Sequence, residues 1–286
     1  MTRNELIIRE KAVLYAYKYN DFDKAINNVL ELFERNKTKK LYRFRLPLSR
    51  EIDSIRQSNI FLCRPKLYED EGDCKCIDDV EALVKYTVTE RSRDKYKKVR
   101  KLFTSEFYDK IVKEVKENQK YIQMKDNVRN MCLIGCMTDK MTDYMWEKYA
   151  NNHEGICLEY DFEEVLKTLR GQGLIFFPVR YVENRDSDYE IFLGPKEYAE
   201  IDDDTLMRKK YILSCMTKNI VPYAKESEWR IFCEYAELPP EKDDGKFFDF
   251  LAPKKIYLGK KIDNNIKFKN EIIDMANIRD IEIELL

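Results

Sequence analysis

Apolar residues near the start of the chain recur at the spacing of a helix. In the second part of this segment they lie three or four positions apart, at Ala25, Ile26, Val29, Leu30 and Phe33. The polar pair Asn20-Asp21 separates this run from an earlier apolar stretch, and Asp21 or Asp23 fits as a helix cap. The pattern therefore predicts a helical hairpin over residues 1–38, followed by a main domain over residues 39–286.

From residue 41 the pattern changes to the alternation that is typical of a half-buried strand. Tyr42, Phe44 and Leu46 fall on one face, and Arg43 and Arg45 fall on the other. Further strands are predicted over 59–63, 130–137, 155–160, 174–181, 228–235, 247–251, 255–258 and 280–285. Helices are predicted over 49–57, 78–122, 143–150, 162–170, 203–217 and 264–276.

Strands and long helices do not alternate regularly along the chain. This arrangement disfavours a doubly wound parallel sheet. The sequence therefore predicts an α+β protein, with a mixed or antiparallel central sheet and flanking helices after the N-terminal helical hairpin.

The charge balance limits the classes of partner. The 286 residues include 52 Lys and Arg against 53 Asp and Glu, so the basic excess of many nucleic-acid-binding proteins is missing. The basic stretch 91–101 is predicted as the solvated face of a helix, with a local nucleic-acid-binding face as the alternative. No apolar run approaches the roughly 20 residues of a membrane span, and no signal peptide is evident, so we expect a cytoplasmic protein.

The eight cysteines predict reduced thiols in a chain without a secretion signal. Cys74-x-Cys76 and Cys132-x-x-x-Cys136 have spacings other than the paired C-x-x-C units of structural zinc sites. His153 is the only histidine available as a further ligand. We therefore predict no metal site.

Two polar patterns on strands are candidates for chemistry. Arg43 and Arg45 present planar guanidinium groups that can bind phosphate or carboxylate, or they form an outward-facing sheet surface. Alternation places Glu226, Glu228 and Arg230 on one face of a later strand, away from Trp229. This second group is either a carboxylate site or a salt-bridged outer face.

The segment from Trp146 to Gly155 forms a third candidate. It holds a tryptophan and the single histidine, His153, where a short helix turns into a strand. His153 is a candidate general acid or base, or else a turn residue that binds backbone. Familiar signatures such as the P-loop, G-x-G-x-x-G, H-E-x-x-H and G-x-S-x-G are missing from the sequence.

Four segments resemble a bacterial family known as a domain of unknown function, numbered two-nine-seven-one. They are Tyr42-Arg43-Phe44, Ile60 to Pro65, Trp146 to Ile156, and Lys218 with Tyr223 and the run Glu226 to Arg230. The family usually carries Phe-Asn-Asp-Pro-Phe-Asp/Glu after the second strand. This chain has Tyr68 to Asp73 there, which keeps Asp70 and Asp73 but not the Asn and Pro.

The order of a strand arginine, a Ser/Thr-bearing strand and Glu-x-Glu is similar to the pattern of ADP-ribosyltransferases. The resemblance implies NAD as substrate, with Arg43 on its pyrophosphate or ribose and Thr138 supporting the glutamate. It implies that Glu228 binds the nicotinamide ribose and stabilises the oxocarbenium-like state, while Glu226 positions the acceptor. Aromatic residues near the cleft would stack on nicotinamide.

The resulting set of candidate site residues has two parts. The catalytic candidates are Glu228, Glu226 and His153, and the cofactor-binding candidates are Arg43, Arg45, Thr138, Trp146 and Tyr149. The resemblance further implies a toxin or anti-phage effector with a protein or nucleic-acid acceptor, and a protein partner is expected at the N-terminal hairpin.

Two other functions stay open. One is a sensor module that binds a ligand or partner without catalysis, which predicts polar groups spread over an open surface. The other is a nuclease-like enzyme with a divalent metal, which predicts that Asp70, Asp73 and Glu228 converge. The transferase hypothesis predicts instead that Arg43 and Glu228 meet in one cleft.

Overall fold

A computed structural model describes the chain in several stretches. These are residues 3–17, 19–36, 39–75, 80–81, 84, 104–184, 203–234 and 244–286. The basic stretch 91–101 and Cys76 lie outside the described residues. Among the described residues, no helix combines the length and apolar character that crossing a membrane requires.

A short helix lies at Ile220–Tyr223. The described helices of seven or more residues follow the predicted order. They are α1 (Arg3–Tyr17), α2 (Phe22–Asn36), α3 (Ser49–Arg56), α4 (Ser105–Lys116), α5 (Gln119–Asn127), α6 (Asp143–Tyr149), α7 (Phe162–Leu169), α8 (Asp203–Cys215) and α9 (Ile266–Ile278). Side-chain caps explain where two of them begin. Thr142 accepts from the backbone N–H of Met145 at α6, and Asp161 accepts from that of Glu164 at α7.

The strands are β1 (Lys40–Arg45), β2 (Asn59–Cys63), β3 (Cys132–Thr138), β4 (Ile156–Asp161), β5 (Ile175–Pro178), β6 (Arg180–Val182), β7 (Thr217–Asn219), β8 (Glu228–Glu234), β9 (Gly245–Asp249), β10 (Lys255–Leu258) and β11 (Glu282–Leu285). Among them, nine form one sheet and β6 pairs with β7 in a second. Only β10–β11 and β6–β7 run parallel within the described pairings. The predicted α+β class with a mixed central sheet is confirmed.

The central sheet forks at β3. Strand β8 pairs along the whole of one edge of β3, from Cys132 to Thr138. The other edge is shared, because β1 pairs there at Thr138 and β2 pairs at Ile134. From the fork, β1 leads through β4 and β10 to β11, and β2 leads to β9.

The predicted N-terminal hairpin is confirmed, since α1 packs against α2. Its apolar face belongs to the same core as the sheet, with Ala12, Ala25 and Ile26 completely buried. Glu10 of α1 and Lys209 of α8 form a buried ion pair at 3.2 Å across the contact. The division at residue 38 into two domains stays a prediction.

A smaller apolar cluster holds α6 against the sheet. Its buried members are Phe44, Met145, Trp146, Ala150, Cys157 and Tyr257. The rings of Phe44 and Trp146 meet edge to face with centroids 5.1 Å apart. This packing fixes α6 beside the first residues of β8.

Three local predictions differ from the structure. The helix predicted over 78–122 is interrupted at Thr104, before α4, and again between α4 and α5, because Thr104 and Asn118 each cap the start of a new helix. The predicted strand 174–181 is two strands, because Val179 leaves the large sheet and Arg180 begins pairing with β7. Helix α8 ends at Cys215, and the short strand β7 was predicted as helix or loop. Strand β7 depends on its long-range partner β6, which local periodicity does not reveal.

Candidate functional site

The start of β8 carries a pair of oppositely charged side chains on one sheet face. Glu228 and Arg230 are two residues apart in the strand, as the sequence predicts, and the Arg230 Nε lies 2.7 Å from Glu228 Oε1. Arg230 also binds both oxygens of Asp73, at 2.9 and 2.6 Å. All three side chains are buried.

Lys218 of β7 joins three carboxylates at once. Its ammonium lies 2.8 Å from Glu226 Oε2, 2.8 Å from Glu228 Oε2 and 3.4 Å from Asp73 Oδ2. With Lys148, which contacts Glu226 at 2.6 Å, the cluster contains three cations and three carboxylates. We call these six residues, Asp73, Lys148, Lys218, Glu226, Glu228 and Arg230, the charge cluster.

The backbone before β8 turns sharply to bring Glu226 into the cluster. Ser227 adopts a left-handed conformation with φ 44°, after the 3-10 turn Ala224–Glu226. The Thr138 hydroxyl donates to the Glu226 carbonyl at 2.7 Å, and the Glu228 backbone N–H donates to the Tyr181 hydroxyl at 2.9 Å. Glu226 thus reaches the cluster from the turn and not from the strand.

Arg129 shapes the turn that delivers Asp73. Its guanidinium donates to backbone carbonyls between Pro65 and Glu71, the shortest at 2.5 Å. This segment lacks the Asn and Pro that the family pattern has here. The arginine thus joins several backbone carbonyls of this segment and holds the turn in shape, in addition to the backbone hydrogen bonds that Pro65 and Asp70 already accept.

The charges of the cluster hold one another in their ionised forms. Burial raises the pKa of Glu228, but the attraction of Arg230 and Lys218 outweighs it and brings the pKa to about 2. The same balance lowers the pKa of Asp73. Burial alone would lower the pKa of Lys218, yet the surrounding carboxylates raise it well above its ordinary value. Lys218 therefore stays protonated and does not serve as a nucleophile.

Acid should weaken the fold through this cluster. Glu228 ionises near pH 4.5 when unfolded but at about 2 when folded, so its stabilising charge is present above 4.5 and lost as pH falls toward 2. We expect the urea midpoint of the wild type to fall more steeply over this window than that of Glu228→Gln. Glu147→Gln, at an exposed position of α6, is the control and should follow the wild type. Parallel curves for all three proteins would contradict this account.

One side of the cluster opens to solvent between α6 and the residues before β8. Glu226 Oε1 accepts hydrogen bonds from the Lys148 ammonium and the Tyr149 hydroxyl, both at 2.6 Å. The Lys148 side chain is 39% exposed, against 2% for Glu226. Three tyrosine rings surround the Lys148 ammonium, those of Tyr144, Tyr149 and Tyr223, at 5.6, 5.1 and 5.4 Å. We call these rings and the Glu226 carboxylate the mouth of the site.

The two predicted arginines lie elsewhere. In the strand register Tyr42, Thr138 and Glu228 stand side by side, so Arg43 points to the opposite face of the sheet from Glu228. Its guanidinium instead donates to the Phe61 carbonyl of β2 at 3.3 Å, where β1 and β2 diverge. The cleft that was expected between Arg43 and Glu228 is therefore not formed.

Arg45 is held by a carboxylate of its own. Its Nε and Nη2 donate to Glu51 of α3 at 2.5 and 2.7 Å in a two-point contact. This pairing occupies the planar edge that the phosphate hypothesis requires. Its role in cofactor binding stays a prediction.

The segment from Trp146 to Gly155 forms a tight connection between α6 and β4. The ring of His153 stacks on Trp146, with centroids 5.7 Å apart and planes 9° apart, and its backbone is left-handed at φ 70°. The His153 carbonyl accepts from the N–H of Lys261 at 2.9 Å. Trp146 is buried in the apolar cluster, while Tyr149 lies at the mouth. These contacts of His153 are typical of a turn residue, and its catalytic role stays a prediction.

Two of the three carboxylates of the metal hypothesis, Asp73 and Glu228, are paired with protein cations. Asp73 and Glu228 share Arg230 and Lys218, while Asp70 caps its own turn by accepting from the Gly72 N–H at 2.8 Å. Within the described part of the chain, no group of three or more His, Cys, Asp or Glu residues could hold a metal ion.

Buried thiols surround the deep side of the cluster. Cys74 Sγ lies 3.1 Å from the Arg230 guanidinium, and the sulfurs of Cys132 and Cys215 are 4.0 Å apart. Burial raises the pKa of the Cys74 and Cys132 thiols, which makes them poor nucleophiles. They serve as packing around Arg230.

Several residues of the site were not among the candidates. Lys148, Lys218, Tyr144, Tyr223 and Asp73 come from separate segments, and their neighbourhood follows from the tertiary fold. A signal for Lys218 and Tyr223 existed, because the family pattern places a lysine and an aromatic residue before Glu-x-Glu. Asp73 entered only through the metal hypothesis.

The elements define an α+β protein with a forked sheet and a buried cluster of paired charges at the start of one strand. A family model described as a protein of unknown function (DUF2971) matches residues 145–231. This range contains most of α6 and the turn with Glu226, which meet at the mouth, and the match supports the resemblance to that family. Searches of curated proteins and of solved structures gave no significant match.

Proposed function

We propose that the protein is an ADP-ribosyltransferase-like enzyme that uses NAD, with its reaction centre at the mouth of the site. One observation carries the proposal. A buried pair of carboxylates, Glu226 and Glu228, lies beside tyrosine rings that already surround a cation, the ammonium of Lys148. The proposal moves the substrate-binding role from Arg43 to these rings.

The chemistry of NAD suits such a place. The nicotinamide ring of NAD is both aromatic and cationic, and tyrosine faces attract cations. As the bond between nicotinamide and ribose breaks, the positive charge moves to the ribose, next to the carboxylates. A carboxylate fixed there in advance stabilises that charge in the transition state.

Glu226 takes the main role in this proposal. It is the carboxylate that contacts Lys148 and Tyr149 at the partly exposed mouth. Glu228 is bound instead by the fully buried Arg230. Glu228 and Lys218 then hold Glu226 in position. The sequence prediction gave these two glutamates the opposite order of importance.

The proposed step balances as a substitution at ribose C1′. The bond from C1′ to the nicotinamide nitrogen breaks, and its electron pair leaves with nicotinamide, which becomes neutral. The acceptor nucleophile forms a bond to C1′ and gives its proton to Glu226. Lys225, which lies exposed near the Tyr144 ring at 5.9 Å, supplies positive charge for the pyrophosphate.

The acceptor is proposed to be a protein or a nucleic acid, and a protein partner is proposed at the N-terminal hairpin. The role of a toxin or anti-phage effector is proposed on the same family resemblance.

A binding module without turnover is the second candidate. The observation that favours it is that Glu226, Glu228 and Asp73 each form an ion pair with a cation of the protein, so that none of them is an unpaired base.

The test is nicotinamide release from NAD by the purified protein, with and without a cell lysate as a source of acceptor. We expect release by the wild type and a loss of about 100- to 1,000-fold in kcat for Glu226→Gln, since one preorganised group at developing charge contributes this much. Glu234→Gln is the matched control, because Glu234 also lies in β8 and pairs with Arg208 at 2.8 Å. It should keep wild-type activity.

Two results would overturn the transferase proposal. One is a wild type that releases no nicotinamide under either condition, and the other is full turnover by Glu226→Gln. Stabilisation of the folded wild type by NAD in thermal unfolding, without turnover, would support the binding module instead.

A further inference from the structure

The ammonium of Lys148 occupies the place at the mouth that is best suited to a cation. It lies 2.6 Å from Glu226 Oε1 and 3.3 Å from the Tyr144 hydroxyl. The three tyrosine rings stand at 5.1 to 5.6 Å from it, within the range of a cation–π contact. This is the arrangement by which proteins recognise ammonium and other organic cations.

Lys148 is also the member of the charge cluster that can leave most easily. Its side chain is 39% exposed, while the side chains of the other five members are between 0% and 8% exposed. A lysine side chain has four rotatable bonds and readily extends into water. Moving it therefore leaves the packed part of the cluster intact.

The charge count shows what its departure creates. With Lys148 in place, three cations balance three carboxylates. Without it, Lys218 and Arg230 face Asp73, Glu226 and Glu228, so the cluster carries one uncompensated negative charge. Each carboxylate keeps a cationic neighbour, but an uncompensated buried charge is costly, and a cationic ligand would restore the balance.

We infer that Lys148 is an internal competitor that occupies a cation-binding site, and that the site selects ligands with a positively charged ring or ammonium group. The inference rests on the proposed function for the identity of the natural ligand, but the cation site itself does not need any reaction. It deepens that function by predicting that oxidised NAD, whose nicotinamide ring is cationic, binds in preference to reduced NAD, whose ring is neutral.

The competition lowers the apparent affinity for the ligand. If the site is free in only a fraction of the molecules, the apparent dissociation constant of the ligand is the intrinsic constant divided by that fraction. Removing the lysine charge takes the ammonium away from Glu226 Oε1 and the Tyr149 ring, while Lys218 stays 4.9 Å from the Tyr223 ring and Lys225 stays 5.9 Å from the Tyr144 ring. We expect Lys148→Met to bind a cationic ring at least about tenfold more tightly, which is the factor that follows if Lys148 fills the place roughly nine-tenths of the time.

The test uses two small probes that differ in charge. Isothermal titration calorimetry would compare 1-methylnicotinamide, a cation, with nicotinamide, which is neutral. The gain in Lys148→Met should appear for 1-methylnicotinamide and not for nicotinamide. Lys148→Arg, which keeps a cation at the mouth, should bind the cationic probe as weakly as the wild type.

Lys40→Met is the matched control. Lys40 is an exposed lysine that contacts a buried glutamate, Glu159, at 2.8 Å, so its loss resembles that of Lys148 in charge and burial. It lies in β1, outside the mouth. This variant should leave the affinity for both probes unchanged.

The outcomes separate this inference from the proposed function. Tighter cation binding in Lys148→Met without nicotinamide release from NAD would uphold the cation site and remove the transferase proposal. Equal affinity of the wild type and Lys148→Met for 1-methylnicotinamide would overturn the inference. A gain of the same size for the neutral probe would also overturn it, because mere enlargement of the mouth would then explain the result.

Discussion

Replacing Arg230 with methionine should destabilise the protein more than almost any other single charge deletion. Arg230 has no exposed side-chain surface and binds Asp73 and Glu228 simultaneously. Its removal leaves two buried carboxylates with Lys218 alone as their shared cation. Breaking a buried ion pair from one side costs roughly 3–5 kcal/mol, since the remaining charge stays desolvated.

Urea unfolding at neutral pH measures this loss directly. Arg56→Met is the control, because Arg56 pairs with Asp53 at 2.7 Å and both side chains are more than half exposed. Exposed pairs contribute at most about 1 kcal/mol. A loss below this level in Arg230→Met would contradict the central role of the cluster in stability.

A second experiment separates buried charge from lost packing. If Arg230→Met does not fold, Arg230→Lys keeps the charge and gives up the two-point contacts with Asp73 and Glu228 and the hydrogen bond to the Cys215 carbonyl. Adding Asp73→Asn to Arg230→Met should recover part of the stability, because the carboxylate left unpaired is neutralised. No recovery would indicate that the shape of Arg230, and not its charge, is what the core requires.

Replacing Gly155 with alanine should also have a large effect, for a steric reason. A Cβ at this position would lie 2.2 Å from the Arg45 carbonyl oxygen and 3.1 Å from that of Ala150. Both contacts are with backbone, which cannot rotate away. We expect a loss of roughly 3 kcal/mol in the free energy of unfolding, at the upper end of over-packing costs.

Because of its position, replacing Gly155 should affect ligand binding at the mouth as well as stability. Gly155 lies where the end of β1, the end of α6 and the start of β4 meet. Moving α6 outward would take the competing Lys148 away from Glu226, but it would also remove the Tyr144 and Tyr149 rings that a cationic ligand needs. Gly155→Ala should therefore weaken any ligand binding at the mouth, as measured by titration with 1-methylnicotinamide.

Gly171→Ala provides the comparison. Gly171 has a left-handed φ of 76°, but apart from its chain neighbours no heavy atom lies within 4 Å of the place that a Cβ would take. Alanine therefore meets conformational strain at this position and no clash. That strain costs about 1–2 kcal/mol. Equal losses in the two variants would show that crowding at Gly155 relaxes easily.

The sequence predicted most helices and strands well, because each of them is marked by the spacing of apolar and polar residues within a short segment. The helical hairpin, the alternation in β1 and the pairing of Glu228 with Arg230 on one face all follow from the spacing of apolar and polar residues. Strand β7 escaped prediction, since three residues carry too little pattern to mark a strand.

The site was predicted only in part for a similar reason. Glu226, Glu228, Thr138 and Tyr149 do meet at or beside the mouth. Arg43 was grouped with them through sequence order, but order along the chain does not reveal the face on which a strand residue points relative to a distant strand. The register of β1, β3 and β8 decides this.

The pattern of residues was thus sufficient for the α+β class, the order of most elements and the carboxylates at the start of β8. The folded chain was needed to show that Asp73, Lys148 and Lys218 neutralise those carboxylates, and that tyrosine rings enclose the exposed cation. The two kinds of feature differ in the range of the contacts that create them. Periodicity reports which face of an element is buried, whereas a charge cluster depends on long-range pairing among segments that are far apart in the chain.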